Sequence, residues 1–171
     1  TSIPRGSGLG TSSILAGAVL QALATLLGEP VGDAQLFDEV LCLEQMITTG
    51  GGWQDQIGGL TDGIKLIRTR PGLPQAAQIE PLPITASLTR ALDERLLLVY
   101  TGQRRLAKNL LRAVMGRWMA RDPEMVAMLG EIAALAEAMR GALAAEDLDA
   151  FGGLVAEHWL INKRMDPGCS N

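Results

Sequence analysis

Pro4-Arg5-Gly6-Ser7-Gly8-Leu9-Gly10-Thr11-Ser12-Ser13 is the stretch on which the fold turns. Glycines at alternate positions open backbone conformations closed to other residues and let N–H groups approach an anion. Thr11, Ser12 and Ser13 then begin an Ala- and Leu-rich segment that reads as a helix to about Leu27, with Gly28-Glu29-Pro30 as its stop. A helix that starts there adds its unpaired N–H groups and the positive end of its dipole to the loop. The three hydroxyls suit phosphate oxygens or a magnesium ion. The stretch is not a Walker A loop, because no Gly-Lys-Ser/Thr follows at the required spacing, and it does not match a dinucleotide fingerprint. A bare Gly/Ser connector is the plain alternative, and Pro4, Leu9 and the hydroxyl triplet weigh against it.

Further along, Asp33 can cap a second helix in which Leu36, Val40, Leu43 and Ile47 recur at helical steps, ending at Gly50-Gly51-Gly52. A short helix over 53–58 follows. Residues 63–69 and 78–84 have strand character, separated by the turn residues Pro71, Gly72 and Pro74. Residues 95–101 (RLLLVYT) form the clearest strand, a continuous apolar run of the buried kind. A subdomain boundary falls near Ala86. Helices are predicted over 104–120, 122–145 and 146–163. Asp122-Pro123 supplies an N-cap and first-turn proline, and Met125, Met128, Leu129, Ile132, Ala136, Met139 and Leu143 supply a buried stripe.

Composition narrows the function classes. With 47% apolar and 20% charged residues in 171, the chain is globular rather than disordered. A net charge of −4 argues against general affinity for nucleic acid, which needs a basic face. Cys42 and Cys169 lie far apart, with no spacing for zinc or a disulfide framework, which suits a reducing cytosol. No apolar run approaches the ~20 residues of a membrane span, so a cytoplasmic protein without membrane or nucleic-acid partners is expected.

A second motif, Leu43-Glu44-Gln45 followed by residues 48–59 (TTGGGWQDQIGG), carries the chemistry together with the first. Pro4 to Ser13 resembles the phosphate-binding motif of the GHMP kinases, with Thr11 a mild variant. TTGGGWQDQIGG resembles the signature of the fucokinase branch of that family. Heptose-phosphate kinases share its Gln-Asp-Gln core. Similar spacings continue through Leu98-Val99-Tyr100-Thr101-Gly102, Arg105 to Leu111, Arg117-Trp118, Ala120 to Pro123 and Lys163 to Cys169, so the resemblance covers nearly the whole chain.

The resemblance implies an α+β GHMP kinase fold, with an N-terminal lobe like domain 2 of ribosomal protein S5 and an α+β C-terminal lobe. Residues 1–86 would end the first, ATP-binding lobe and 87–171 would start the second. The fold is expected to be incomplete at both ends, so that the 171-residue piece alone is poorly soluble and inactive. The implied activity is ATP- and Mg²⁺-dependent phosphorylation of the anomeric hydroxyl of L-fucose, for GDP-fucose salvage, with possible fusion to a nucleotidyltransferase domain. Alternatives are a heptose or other sugar kinase and a non-catalytic truncated product.

Residues 4–13 (Pro4, Arg5, Gly6, Ser7, Gly8, Leu9, Gly10, Thr11, Ser12 and Ser13) would bind the phosphates, and Ser12 and Glu44 the magnesium. Asp55 would accept or orient the proton of the sugar hydroxyl; elsewhere, an Asp in a Gly-rich turn is a cap. Arg105, in a basic stretch with Arg104, Lys108 and Arg112, would support phosphate charge or the sugar pocket, or else lie on a solvated helix face. Gly51, Gly52, Trp53 and Asp55 would contact the sugar, with Trp53 either stacking on it or plugging the fold.

Overall fold

Glycines in the left-handed region, Gly10 (φ 63°) and Gly28 (φ 71°), bound the first helix, α1 (Thr11–Leu27). At its end Gly28 N–H donates to Thr25 O and Glu29 N–H to Ala24 O, a paired closure that satisfies carbonyls the helix would otherwise orphan. The structure, a computed structural model, describes residues 7–47, 51–100 and 107–169. The elements that follow are α2 (Asp33–Met46), α3 (Gln54–Leu60), β1 (Lys65–Thr69), β2 (Ala77–Pro81), α4 (Ala86–Arg95), α5 (Ala107–Met119), α6 (Pro123–Ala144) and α7 (Leu148–Met165). Helices joined to one two-stranded sheet make the described chain α+β.

The chain divides into two compact units. One comprises Thr1–Gly63, Ile67–Ile79 and Tyr100–Leu111, and the other Ile64–Leu66, Glu80–Val99 and Arg112–Asn171. In the first, α1, α2 and α3 pack on one another. In the second, Met125, Met128, Leu135 and Ile161 form a core with Val114, Leu129, Ile132, Leu154 and Met165. A second cluster gathers Leu88, Leu92 and Leu143 with Ile64, Leu82, Ile84, Leu148 and Phe151. Aliphatic side chains dominate both, joined by Met in the first and by Phe151 in the second, as a chain with only 4% aromatic residues requires.

Several sequence expectations are corrected. Residues 95–101 do not form the expected strand. Arg95 ends α4, and residues 96–100 adopt no regular structure, with Leu96, Leu97, Leu98, Val99 and Tyr100 at least 50% exposed. Thr101 lies outside the described residues. A strand exists through its ladder, and among the described residues none pairs with this run, so apolar content alone does not produce one. α4 itself was not expected. Its signals were local: Thr85 Oγ1 accepts from Leu88 N–H as an N-cap, and Leu88 and Leu92 bury one helix face.

On α2 the buried positions are Leu36, Phe37, Val40 and Glu44, whereas Leu43 and Ile47 are exposed. The buried stripe therefore follows the apolar pattern through Leu36 and Val40 and then departs from it, ending on the Glu44 carboxylate instead of Leu43 and Ile47. Gly32 rather than Asp33 is the N-cap, and Asp33 occupies the first turn. On α6, Leu135 joins the core in addition to the expected stripe.

Asp122 caps α6 as the sequence predicts, accepting from the N–H groups of Glu124 and Met125. Arg117, near the end of α5, makes this cap a three-element joint. Its Nε donates to Asp122 Oδ2 at 2.7 Å, Nη2 to Glu124 Oε2 at 3.2 Å and Nη1 to the Met165 carbonyl at 3.2 Å in the last turn of α7. The hydrogen bond from Arg117, with help from the Met125 N–H, holds the Asp122 carboxyl below the usual carboxylate range. A depressed carboxyl contributes stability that is present above its unfolded value and is lost as pH falls through its folded value. Arg117→Met, which keeps the apolar stem, should lower the thermal midpoint by several degrees at neutral pH. The gap between Asp122→Asn and wild type should shrink as melts are repeated below the usual carboxylate range. A gap independent of pH would rule out the ion pair as its source.

Candidate active site

Gly8 and Gly10 both have positive φ (81° and 63°) and lead the chain into α1. No side chain caps α1, and no acidic residue occupies its first turn. Its leading N–H groups and dipole are therefore without a protein anion of their own in that turn, the arrangement helix N-termini use to receive one.

Asp55 lies directly against this point. A Cβ added at Gly10 would stand 3.0 Å from both Cβ and Cγ of Asp55 and 3.3 Å from its Oδ1. Only a residue with no side chain, and one at ease with positive φ, brings the carboxylate this close to the loop. Asp55 sits in the first turn of α3 and is exposed. The same element is drawn onto α1 through glycines on both helices: Gly17 faces the Leu60 side chain, and Gly59 faces the Ile14 side chain, each too close for a Cβ to fit unchanged.

Under this surface, Ser13 Oγ donates to Glu44 Oε1, with Ser13 fully buried and Glu44 6% exposed. The bond joins the first turn of α1 to the last turn of α2. Ser12, expected to share a magnesium ion with Glu44, is exposed, and Ser13 Oγ is a hydrogen-bond donor to the Glu44 carboxylate. α2 also holds the segment that leads into α3. Gln45 Nε2 donates to Gly51 O at 2.8 Å, and the Trp53 indole N–H donates to Asp38 Oδ1 at 3.2 Å.

The structure thus brings together Gly10, the first turn of α1, Ser13, Glu44, Trp53 and Asp55, within one unit. Gly51 is half-buried and Gly52 exposed, in the segment held by Gln45. Pro4, Arg5, Gly6 and Arg105 lie outside the described residues, as do Thr48, Thr49 and Gly50. Arg112 is exposed. Ser13, Asp38 and Gln45 were not singled out for these contacts. The spacing Leu36-Val40-Glu44, four residues per step along α2, was the available signal that Glu44 faces inward.

The donor set fits a hard cation. It offers oxygen alone, from one carboxylate and the adjacent hydroxyls, and Mg²⁺ is commonly held by one or two carboxylates with phosphate oxygens and waters. Among the described residues no group of three or more His, Cys, Asp or Glu side chains forms a separate metal cage. A loop of positive-φ glycines before an uncapped helix fits a phosphate chain equally. Chemically, the site places an exposed carboxylate beside an anion-receptive helix terminus. This is what a reaction needs when a proton must leave a nucleophile facing a phosphoryl group.

Residues 1–63 match the family model of the GHMP kinases N terminal domain. Over 169 residues the chain is 43% identical to a bifunctional fucokinase/GDP-fucose pyrophosphorylase of Arabidopsis thaliana, covering 99% of this chain and 16% of that protein. Over 166 residues it is 39% identical to an L-fucokinase/L-fucose-1-P guanylyltransferase of Bacteroides fragilis, covering 97% of this chain and 18% of that protein. The chain therefore spans less than a fifth of the length of these relatives. Residues 1–63, which hold the glycine loop and Asp55, thus carry a GHMP kinases N terminal domain, and nearly the whole chain is similar to a segment of these two fucokinase proteins.

Proposed function

We propose that the full-length protein is an ATP-dependent sugar kinase that phosphorylates the anomeric hydroxyl of L-fucose. The observation that carries this reading is the contact between Asp55 and Gly10, which sets a carboxylate beside the uncapped start of α1. The names of the two relatives support the choice of sugar.

In this reading residues 4–13 receive the phosphates of ATP, with backbone N–H groups of the loop and the first turn of α1 as donors. Ser12 and Glu44 hold Mg²⁺, and Ser13 Oγ orients the Glu44 carboxylate from behind, a role that outer hydrogen-bonding partners commonly play for ligating carboxylates. The bound ion supplies positive charge against the charge on the transferring phosphoryl group. Asp55 takes or orients the proton of the anomeric hydroxyl while that oxygen bonds to the γ-phosphorus and the bond to ADP breaks. Gly51, Gly52 and Trp53 border the sugar. Because Asp38 holds the indole N–H, Trp53 offers its ring face rather than its donor. Arg105 supports the phosphate charge or the sugar pocket.

Residues 1–86 belong to the ATP-binding lobe and 87–171 to the second lobe. A fused nucleotidyltransferase domain, a place in GDP-fucose salvage and a cytoplasmic setting complete the proposal. Among the described residues no helix is long and apolar enough to cross a membrane.

The test is sugar-dependent ADP release by the full-length protein across L-fucose, D-arabinose, galactose, mannose and a heptose phosphate. The reading expects L-fucose to give the highest kcat/KM. Turnover of a heptose phosphate in preference to fucose would move the protein to another branch, and no sugar-dependent release would refute the kinase assignment.

A further inference from the structure

Among the described residues, the buried side-chain nitrogen and oxygen atoms without a hydrogen-bond partner are Ser7 Oγ and both amide atoms of Gln56. They occur in the two segments that meet at the site: Ser7 in the loop that ends at Gly10, and Gln56 immediately after Asp55 in α3. Gln56 is fully buried. A carboxamide has two donor hydrogens and an acceptor oxygen to satisfy, and folded proteins satisfy nearly all such groups. An apolar side chain of similar shape at this position would avoid the cost of the orphaned amide. Groups that burden the fold in this way persist where a function uses them.

We propose that the Gln56 carboxamide is a contact for hydroxyl groups of the sugar, an inference that rests on the sugar-kinase reading above. The chemistry favours the sugar over the nucleotide phosphates. Neighbouring sugar hydroxyls each donate and accept, matching a group that presents a donor and an acceptor side by side. Phosphate oxygens only accept, and would leave Gln56 Oε1 unanswered. Gln56 lies on α3, the element that carries the carboxylate assigned to the sugar hydroxyl, and not on the phosphate loop. Its amide atoms are shielded from solvent here, so contact requires the side chain to turn. Because the terminal torsion only turns the amide in place, this movement has to come from χ1 or χ2, each of which has alternative staggered wells.

Gln56→Met in the full-length protein tests the inference through two readouts. Without ligand, its thermal midpoint should equal or exceed that of the wild type, because Met fills the volume and leaves nothing unpaired. With ATP saturating, the KM for the sugar should rise about tenfold or more, while the KM for ATP stays within about twofold. Gln56→Leu, which removes donor and acceptor together, should show the same selectivity for the sugar KM. An unchanged sugar KM in Gln56→Met, or a rise confined to ATP, would overturn the proposal. So would a clear fall in its ligand-free midpoint, which would make Gln56 a structural partner. A wild type that ignores L-fucose but phosphorylates another sugar would refute the fucose reading alone, and the Gln56→Met ratio would then be read with that sugar.

Discussion

Asp55→Asn in the full-length protein is expected to lower kcat by about 10²–10⁴-fold, the range that a positioned general base contributes, with little change in the KM for ATP. The substitution is nearly isosteric, so the contact with Gly10 and the packing of α3 on α1 are retained. On the proposed role, the lost property is the ability to take a proton from the sugar hydroxyl as the phosphoryl group transfers. Stability should follow the wild type, because Asp55 is exposed and lies outside the apolar core. The comparison therefore separates chemistry from folding: a variant with an unchanged melt and a collapsed kcat supports the role of Asp55. A kcat within about threefold of the wild type would remove Asp55 from proton transfer, since an effect that small lies below the range of general-base catalysis. The helix-terminus site would then bind phosphate with its base still to be found.

Gly17→Val is expected to damage the same step from a distance. Gly17 is buried in α1, and the Leu60 side chain of α3 occupies the space a Cβ would need. Forcing a branched side chain into a filled contact typically costs about 1–3 kcal/mol, and it pushes the end of α3 away from α1. Because Asp55 rides on α3, a displacement of about 1 Å at the site would reduce kcat/KM by roughly 10²-fold. Leu60→Ala supplies the test of mechanism. If the clash is the cause, the double variant Gly17→Val/Leu60→Ala should regain much of the lost kcat/KM, a non-additivity expected only of residues in contact. Losses that simply add would show that the Gly17–Leu60 contact does not set the place of Asp55.

Much of the architecture was legible because its signals are local. The Asp122-Pro123 cap opens α6 where expected, with Asp122 accepting two N–H bonds. Gly28 ends α1 through two backbone bonds within one turn. β1 and β2 fall on residues 63–69 and 78–84 to within a few positions, with the turn of Pro71, Gly72 and Pro74 between them. The glycine loop was legible for the same reason, since positive φ at Gly8 and Gly10 is a property of those residues themselves. α4 was missed although its signals were equally local, because the adjoining apolar run suggested a strand that drew Arg95 out of the helix.

By itself, then, the sequence determined where α1 and α6 begin and end, and which loop leads into an uncapped helix start. These depend on caps, backbone freedom and residue type over a few positions. Only the tertiary structure decided that Ser13 donates to Glu44, that Glu44 rather than Leu43 faces inward on α2, and that Asp55 lies against Gly10. It also decided that residues 96–100 have no strand partner among the described residues. The physical reason is common to all of these. Helix phase, buried pairing and strand formation depend on which distant surface each face meets, and that information resides in the packing of α1, α2 and α3 rather than in any short stretch of chain.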